Sequence, residues 1–249
     1  MLAFLIAASF LGDPTSALRE SARPERDRAL VRLHSLGAAS AAAQIAPLFD
    51  DPIPVARSNA CIAAADLRAT ALAPKVRAAL DDADPDVRSA CATAAGELRD
   101  RAAVAILKRL SEHDAASSVR LDALRALIEL GDAASRRALA RRLGDPVLET
   151  RRDAIALLAL MPQPWATTTL VRALTDWSPD LRIAAARGLA NRADARGVEF
   201  LVRAGPLADA AWRAKIEAAL ESLSVSDETR REIFARPISP GVARALDIR

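Results

Sequence analysis

The chain has 249 residues, 51% of them hydrophobic but only 3% aromatic and none tyrosine, so its core must be built from alanine, leucine, isoleucine and valine. Such residues favour closely spaced helices. Its 35 basic and 32 acidic residues leave a net charge of +3, whereas a dedicated nucleic-acid binder normally shows a stronger bias or a clear basic block.

The N-terminal stretch MLAFLIAASFLGDPTSA, residues 1–17, carries an apolar run from Leu2 to Leu11, then Gly12, Pro14 and small residues at Thr15 and Ala17. That order resembles a secretory signal cleaved after Ala17, and export (periplasmic or secreted) is the favoured reading over a cytoplasmic one. No Lys or Arg precedes the run, and Asp13 and Arg19 repeat an acid-to-arginine offset found throughout the chain, so a first helix is the open alternative. Either way the run is too short for an ordinary membrane span.

From residue 18 to residue 222 one period governs everything. Arg26, Arg57, Arg88, Arg120, Arg151, Arg182 and Arg213 are separated by 31, 31, 32, 31, 31 and 31 residues. Six residues before each lies an acid, Glu20, Asp51, Asp82, Asp114, Asp145 and Asp176, and only the last copy departs, with Leu207. The residue before the arginine is apolar in most copies (Ala56, Val87, Val119, Leu181, Trp212), with Glu25 and Thr150 as exceptions. Three residues after it comes a small one in most copies, Ala29, Ala60, Cys91, Ala123, Ala154 or Ala185, which lets neighbouring helices approach closely.

Upstream of the acids lie runs such as APKVRAALDD, VAILKRL and TTTLVRALTD. Their apolar residues recur at three- and four-residue spacing, as in amphipathic helices. Each unit is therefore a helix A, a short turn carrying the acid, and a helix B opening near the arginine. Pro52, Pro54, Pro85, Pro146 and Pro179 fall in the turn or first helical position, where a missing N–H costs little. Gly37 and Gly131 follow a leucine at the end of helix B, where a left-handed cap is expected. Neither helix of such a pair buries its apolar face alone, so the pairs must stack into a solenoid. Residues 223–249 read as a capping helix opened by Ser226, followed by a proline-interrupted tail from Pro237 that is expected to be loosely held.

Cys61 and Cys91 occupy nearly equivalent places in consecutive copies. Equivalent points on stacked helices are roughly 8–10 Å apart, beyond the usual disulfide Cα spacing of about 4.4–6.8 Å. Both are therefore read as small core residues.

The pattern D-x-x-P-x-V-R-x-x-A-x-x-A-L, present as DADPDVRSACATAAGEL, resembles the HEAT repeat, in the short bacterial form shared with phycobilisome-lyase subunits. The resemblance covers roughly residues 20 to 222. It implies an all-α fold, a right-handed α-α superhelix of the HEAT-like or armadillo type with about seven 31-residue helix pairs, and a concave side lined by the B helices. It is weakly specific for activity.

The ladder of Asp51, Arg57, Asp82, Arg88, Asp114, Arg120, Asp145, Arg151, Asp176 and Arg182 is read as structural, each arginine bridging the aspartate or turn carbonyls of its own and adjacent layers. The only histidines are His34 and His113, so neither zinc spacing nor the paired His-Glu motifs of the similarly built deoxyhypusine hydroxylase are present. No cofactor, metal site or catalytic residue is assigned. A bilin-lyase-like role is suggested by the resemblance alone. Nucleic-acid binding is the other alternative, because Trp165, Trp177 and Trp212 share the last third of the chain with Arg187, Arg203 and Arg213.

If the B helices line the concave side, residues at ladder positions one, two, five and nine after the arginine face the groove. They include Asn59, Ile62, Asp66, Ser89, Thr93, Glu97, Leu121, Glu129, Asp153, Ile183, Asn191 and Lys215, together with Asp122, Arg125, Arg152 and Arg187, the expected partner contacts. This mixed, signed surface suits a protein or peptide. The sequence therefore reads as a non-catalytic interaction scaffold or regulatory subunit, expected to be a monomer.

Overall fold

The computed structural model describes residues 14–19 and 23–246. The ambiguous stretch before Pro14, and Glu20 of the ladder, lie outside the described residues. The chain divides into two compact units, one up to Arg136 and the other from Arg137.

The first unit holds α1 (Pro14–Ala17), α2 (Arg23–Ser35), α3 (Ala38–Ile45), α4 (Pro54–Asp66), α5 (Ala73–Ala78), α6 (Pro85–Glu97), α7 (Val104–His113) and α8 (Ser117–Glu129). Helix α9 (Ala133–Arg142) carries the boundary between the units. The second unit continues with α10 (Leu148–Leu160), α11 (Pro164–Ala173), α12 (Pro179–Asn191), α13 (Ala195–Ala204), α14 (Ala210–Ser222), α15 (Asp227–Ala235) and α16 (Pro240–Leu246). Every described regular element is helical: the fold is all-α, of α-α repeat type.

Helices α2, α4, α6 and α8 are the B helices of the first unit, and each is 13 residues long. Their inward faces are mostly alanine: Ala60, Ala63 and Ala64 on α4, and Ala92, Ala94 and Ala95 on α6, are buried. Without long side chains between them these helices come very close. A Cβ placed on Gly96 would lie 2.9 Å from the Ala126 Cα, so glycine is required where α6 meets α8. Larger apolar groups, Val76 and Leu80 on one A segment and Leu107 and Leu110 on the next, seal the other side of this core.

That closeness overturns the expected cysteine spacing. The Cys61 and Cys91 Cα atoms are 5.0 Å apart and their sulfurs are joined in a disulfide. The 8–10 Å expectation assumed ordinary helix packing; alanine-lined helices approach further. The bond ties α4 to α6 inside the core, where both residues are fully buried.

Except for α10, which runs into extended Met161, the B helices end in a left-handed residue: Gly37, Arg68, Arg99, Gly131, Ala193 and Ser224 all have φ between 49° and 90°. After it the chain folds back, as in Ala69 N–H to the Ala64 carbonyl at 2.8 Å, Asp100 to Ala95 at 3.0 Å and Asp194 to Leu189 at 2.9 Å. This is the Schellman arrangement, which satisfies carbonyls left open at the helix end. The sequence betrayed only the glycine copies, although Arg68 lies 31 residues after Gly37.

The tail also differs from expectation. Residues 240–246 form α16, whose Val242 and Ala245 are fully buried, and the Ser239 N–H donates to Glu199 Oε1 at 2.8 Å. The prolines at 237 and 240 delimit this helix rather than preventing it: Pro240 sits at its first position, which needs no N–H donor.

Candidate functional site

Two side-chain systems lie on the B helices: a ladder at their N-terminal ends and a polar stripe along their faces.

In the ladder, each aspartate works in two directions. Its Oδ1 accepts the backbone N–H two residues on, from Ile53, Asp84, Ala116, Val147 and Ser178, at 2.8–2.9 Å. Only a short carboxylate closes that turn, so the position calls for Asp rather than Glu. At Asp82, Asp114 and Asp176 the Oδ2 then accepts Nε of the arginine of the preceding layer, whose Nη2 shares Oδ1 with the turn N–H. Arg57 Nε and Nη2 reach Asp82 at 2.7 and 2.8 Å, Arg88 reaches Asp114 at 2.8 Å twice, and Arg151 reaches Asp176 at 2.8 and 3.3 Å. Arg19 provides the same bond to Asp51 at 2.7 Å. Meanwhile Nη1 donates to the carbonyls of its own turn: Asp51 and Pro52 for Arg57, Asp82 and Ala83 for Arg88, Asp114 and Ala115 for Arg120, Asp145 and Pro146 for Arg151. Arg57, Arg88 and Arg151 thus pin their own turns while holding the next.

Charge follows geometry. The guanidinium hydrogen bonds, aided by the turn N–H groups, hold the carboxyls of Asp51, Asp82 and Asp114 below the usual carboxylate range, against an opposing effect of burial. Arg57 and Arg88 are correspondingly raised by their aspartates. These groups are committed to one another, and their chemistry is structural.

Along the stripe of the first unit, the Ser89 hydroxyl on α6 donates to Asp122 on α8. Burial pushes the Asp122 carboxyl upward, with the Ser89 bond and the Arg125 charge opposing. Arg125 Nε holds Glu129 Oε1 one turn along α8 at 2.9 Å. A cleft of about 560 Å³ opens at the C-terminal ends of these helices, with Arg68, Glu97, Arg99 and Glu129 among its lining residues. Arg68 and Arg99 come to that lining because they occupy the left-handed caps. They were not singled out from the sequence, where the cap period was their only signal.

In the second unit Arg152 on α10 is exposed and pairs with Glu149 at 2.5 Å. Arg187 on α12 is exposed. A second cleft, of about 570 Å³, is lined by Gly144, Arg172, Thr175, Trp177, Gly241 and Arg244.

Not every expected groove residue reaches the surface. Asn59 is buried and its amide donates to the Leu18 carbonyl at 2.9 Å, and Ile183 is 7% exposed. Asn59 is thus turned toward the preceding layer. Lys215 instead reaches Asp180 at 2.7 Å. Of the arginines weighed for nucleic acid, Arg203 donates to the Ile233 and Arg236 carbonyls, and Arg213 to those of Gly205 and Ala208. They hold the chain together and are not free to grip phosphates. His34 faces Asp66 at 3.4 Å and His113 lies by Glu112 at 3.7 Å, both exposed. Among the described residues no group of three or more His, Cys, Asp or Glu side chains is placed to hold a metal, and no helix is long and apolar enough to cross a membrane.

The HEAT-repeats family profile matches residues 41–128 and 73–159. No curated protein matches the chain in sequence. Among solved structures it is similar to the complex of CpcE and CpcF of phycocyanin lyase from Nostoc sp. PCC7120, at 20% identity, 94% coverage of this chain, 92% of that one and a TM-score of 0.47. It is also similar to human deoxyhypusine hydroxylase, at 19% identity, 99% and 96% coverage and a TM-score of 0.43. A designed armadillo repeat protein is similar at 20% identity, 94% and 98% coverage and a TM-score of 0.33.

Proposed function

We propose that the chain, whose residues 41–159 match the HEAT-repeats profile, is a non-catalytic scaffold or regulatory subunit that binds a protein or peptide through the outward faces of its B helices. The observation that carries this reading is the stripe itself. Arg125, Arg152 and Arg187 stand at ladder positions five, one and five after their arginines; in the first unit Arg125 is paired with Glu129, and in the second Arg152 with Glu149. Such signed surfaces read charge pattern and register in a protein partner, and contribute to specificity more than to bulk affinity. Asp122, largely withdrawn from water and held by Ser89, contributes as a fixed acceptor beside Arg125.

Single reversals Arg125→Glu, Arg152→Glu and Arg187→Glu test it. Each is expected to weaken retention of the partner on immobilised chain severalfold, with losses graded across the helices. Loss confined to changes around one cleft, accompanied by turnover, would instead support an enzyme subunit.

The disulfide supports placing the chain in an oxidising compartment, since such bonds rarely persist in a reducing cytoplasm. Thiol alkylation of protein from the native host, read by mass, gives unmodified Cys61 and Cys91 on this reading; full modification without prior reduction contradicts it.

A further inference from the structure

At Arg182 the ladder lacks its acid. Arg182 opens α12 as Arg151 opens α10, but position 207, 25 residues on and in register with the acid that Arg151 holds, is leucine. Leu207 is 68% exposed. Instead of gripping a carboxylate, the Arg182 guanidinium lies over the Trp212 ring, 4.5 Å from its centroid. Its Nε is sealed from solvent without an acceptor, and so is the Trp212 Nε1. Acids in the flanking turns are committed elsewhere: Asp176 to Arg151, Asp180 to Lys215, and Asp209 to the Trp212 N–H at 2.8 Å. Burial lowers the Arg182 pKa, offset only by the charge of Asp176.

A part-buried guanidinium without a counter-ion is costly to keep. Stacking on an indole compensates one face of the cation and leaves its in-plane donors without an acceptor. On the other rungs those donors take a carboxylate side-on. We propose that Arg182 and Trp212 form a docking site for an aspartate or glutamate side chain of a protein partner, which completes the rung from outside. The exposed Leu207 offers an apolar edge for the partner backbone beside it. Carboxylate is favoured over phosphate because the repeat already shows which anion this arginine position accepts, and because the chain carries only +3 net charge. None of Asp122, Arg125, Arg152 or Arg187 takes part, so the site stands or falls independently of the helix-face reading.

The test uses the full chain labelled with nitrogen-15 and an amidated peptide alternating glycine and aspartate, followed through the indole N–H signals of Trp165, Trp177 and Trp212, assigned with Trp212→Phe. Titration is expected to move the Trp212 signal selectively. Affinity falls about tenfold or more in Arg182→Gln, as for loss of a charge-assisted pair, and in Leu207→Asp, which supplies a competing acid. The exposed Arg137→Gln control is unchanged. An unmoved Trp212 signal, a shift that survives in Arg182→Gln, or stronger displacement by a single-stranded oligonucleotide than by the peptide overturns the proposal.

Discussion

Arg151→Met tests the ladder where it is most deeply buried. Both side chains of the Arg151–Asp176 pair are 4% exposed. The guanidinium donates to Asp176 at 2.8 and 3.3 Å and to the Asp145 and Pro146 carbonyls at 2.8 and 3.2 Å, and stacks 4.7 Å from the Trp177 centroid. Methionine keeps the apolar stem and removes every one of these. Stranding a buried charge costs about 3–5 kcal/mol, and each carbonyl left without its donor adds about 1 kcal/mol. Asp176 keeps its bond from the Ser178 N–H, which limits the total to about 3–5 kcal/mol, a large share of a typical 5–15 kcal/mol stability. Asp176→Asn removes the stranded charge, so the double variant recovers part of the loss, with a coupling of about 1.5 kcal/mol or more. Urea unfolding followed by circular dichroism measures all four proteins. A loss below about 1 kcal/mol for Arg151→Met, or a double variant equal to the sum of the singles, refutes the reasoning.

The neighbouring Arg152 gives the contrast: its exposed pair with Glu149 is worth about 0–1 kcal/mol, so Arg152→Ala shifts urea stability by under about 0.5 kcal/mol. Reducing the Cys61–Cys91 disulfide, which closes a loop with a sequence separation of 30, is expected to cost about 3–4 kcal/mol by the loop-entropy relation, measured as a lowered urea midpoint with and without reductant. Ala193→Gly relieves a left-handed residue at φ 57° and raises stability by up to about 1 kcal/mol in the same assay. The depressed carboxyls of Asp51, Asp82 and Asp114 contribute stability that is complete above the unfolded value near 4 and is lost as pH falls through the lower folded values. Asp122, displaced upward by burial, has the opposite sign: its cost to the fold grows as pH rises past the unfolded value and is complete above the folded one. Asp122→Asn is therefore expected to hold or gain stability at neutral pH in a pH series of thermal melts.

The repeat was legible because a 31-residue spacing of arginines is a one-dimensional signal that survives substitution elsewhere. The acid six residues before each arginine was equally visible. Which acid the arginine holds was not: Arg57 bonds the backbone of Asp51 but the side chain of Asp82, a choice set by how far one layer stands from the next. The same distance hid the disulfide, since only coordinates show that alanine-lined helices bring Cys61 within reach of Cys91. Arg68 and Arg99 escaped notice because arginine does not announce a left-handed cap as glycine does, though the period from Gly37 marked their places. The groove list mixed exposed Arg152 and Arg187 with buried Asn59 and Ile183 because helical spacing gives a direction around the axis, not how closely the next helix stands.

The measurement that bears most directly on the proposed function is affinity capture from the native host with mass spectrometry, run in parallel with wild-type chain and with the triple variant Arg125→Glu, Arg152→Glu, Arg187→Glu. The expected result is one reproducible, stoichiometric protein partner held by the wild type and lost by the variant while their thermal midpoints agree. Equal recovery by both chains, or recovery of nucleic acid or a bound chromophore in place of a protein, contradicts binding through the B-helix faces.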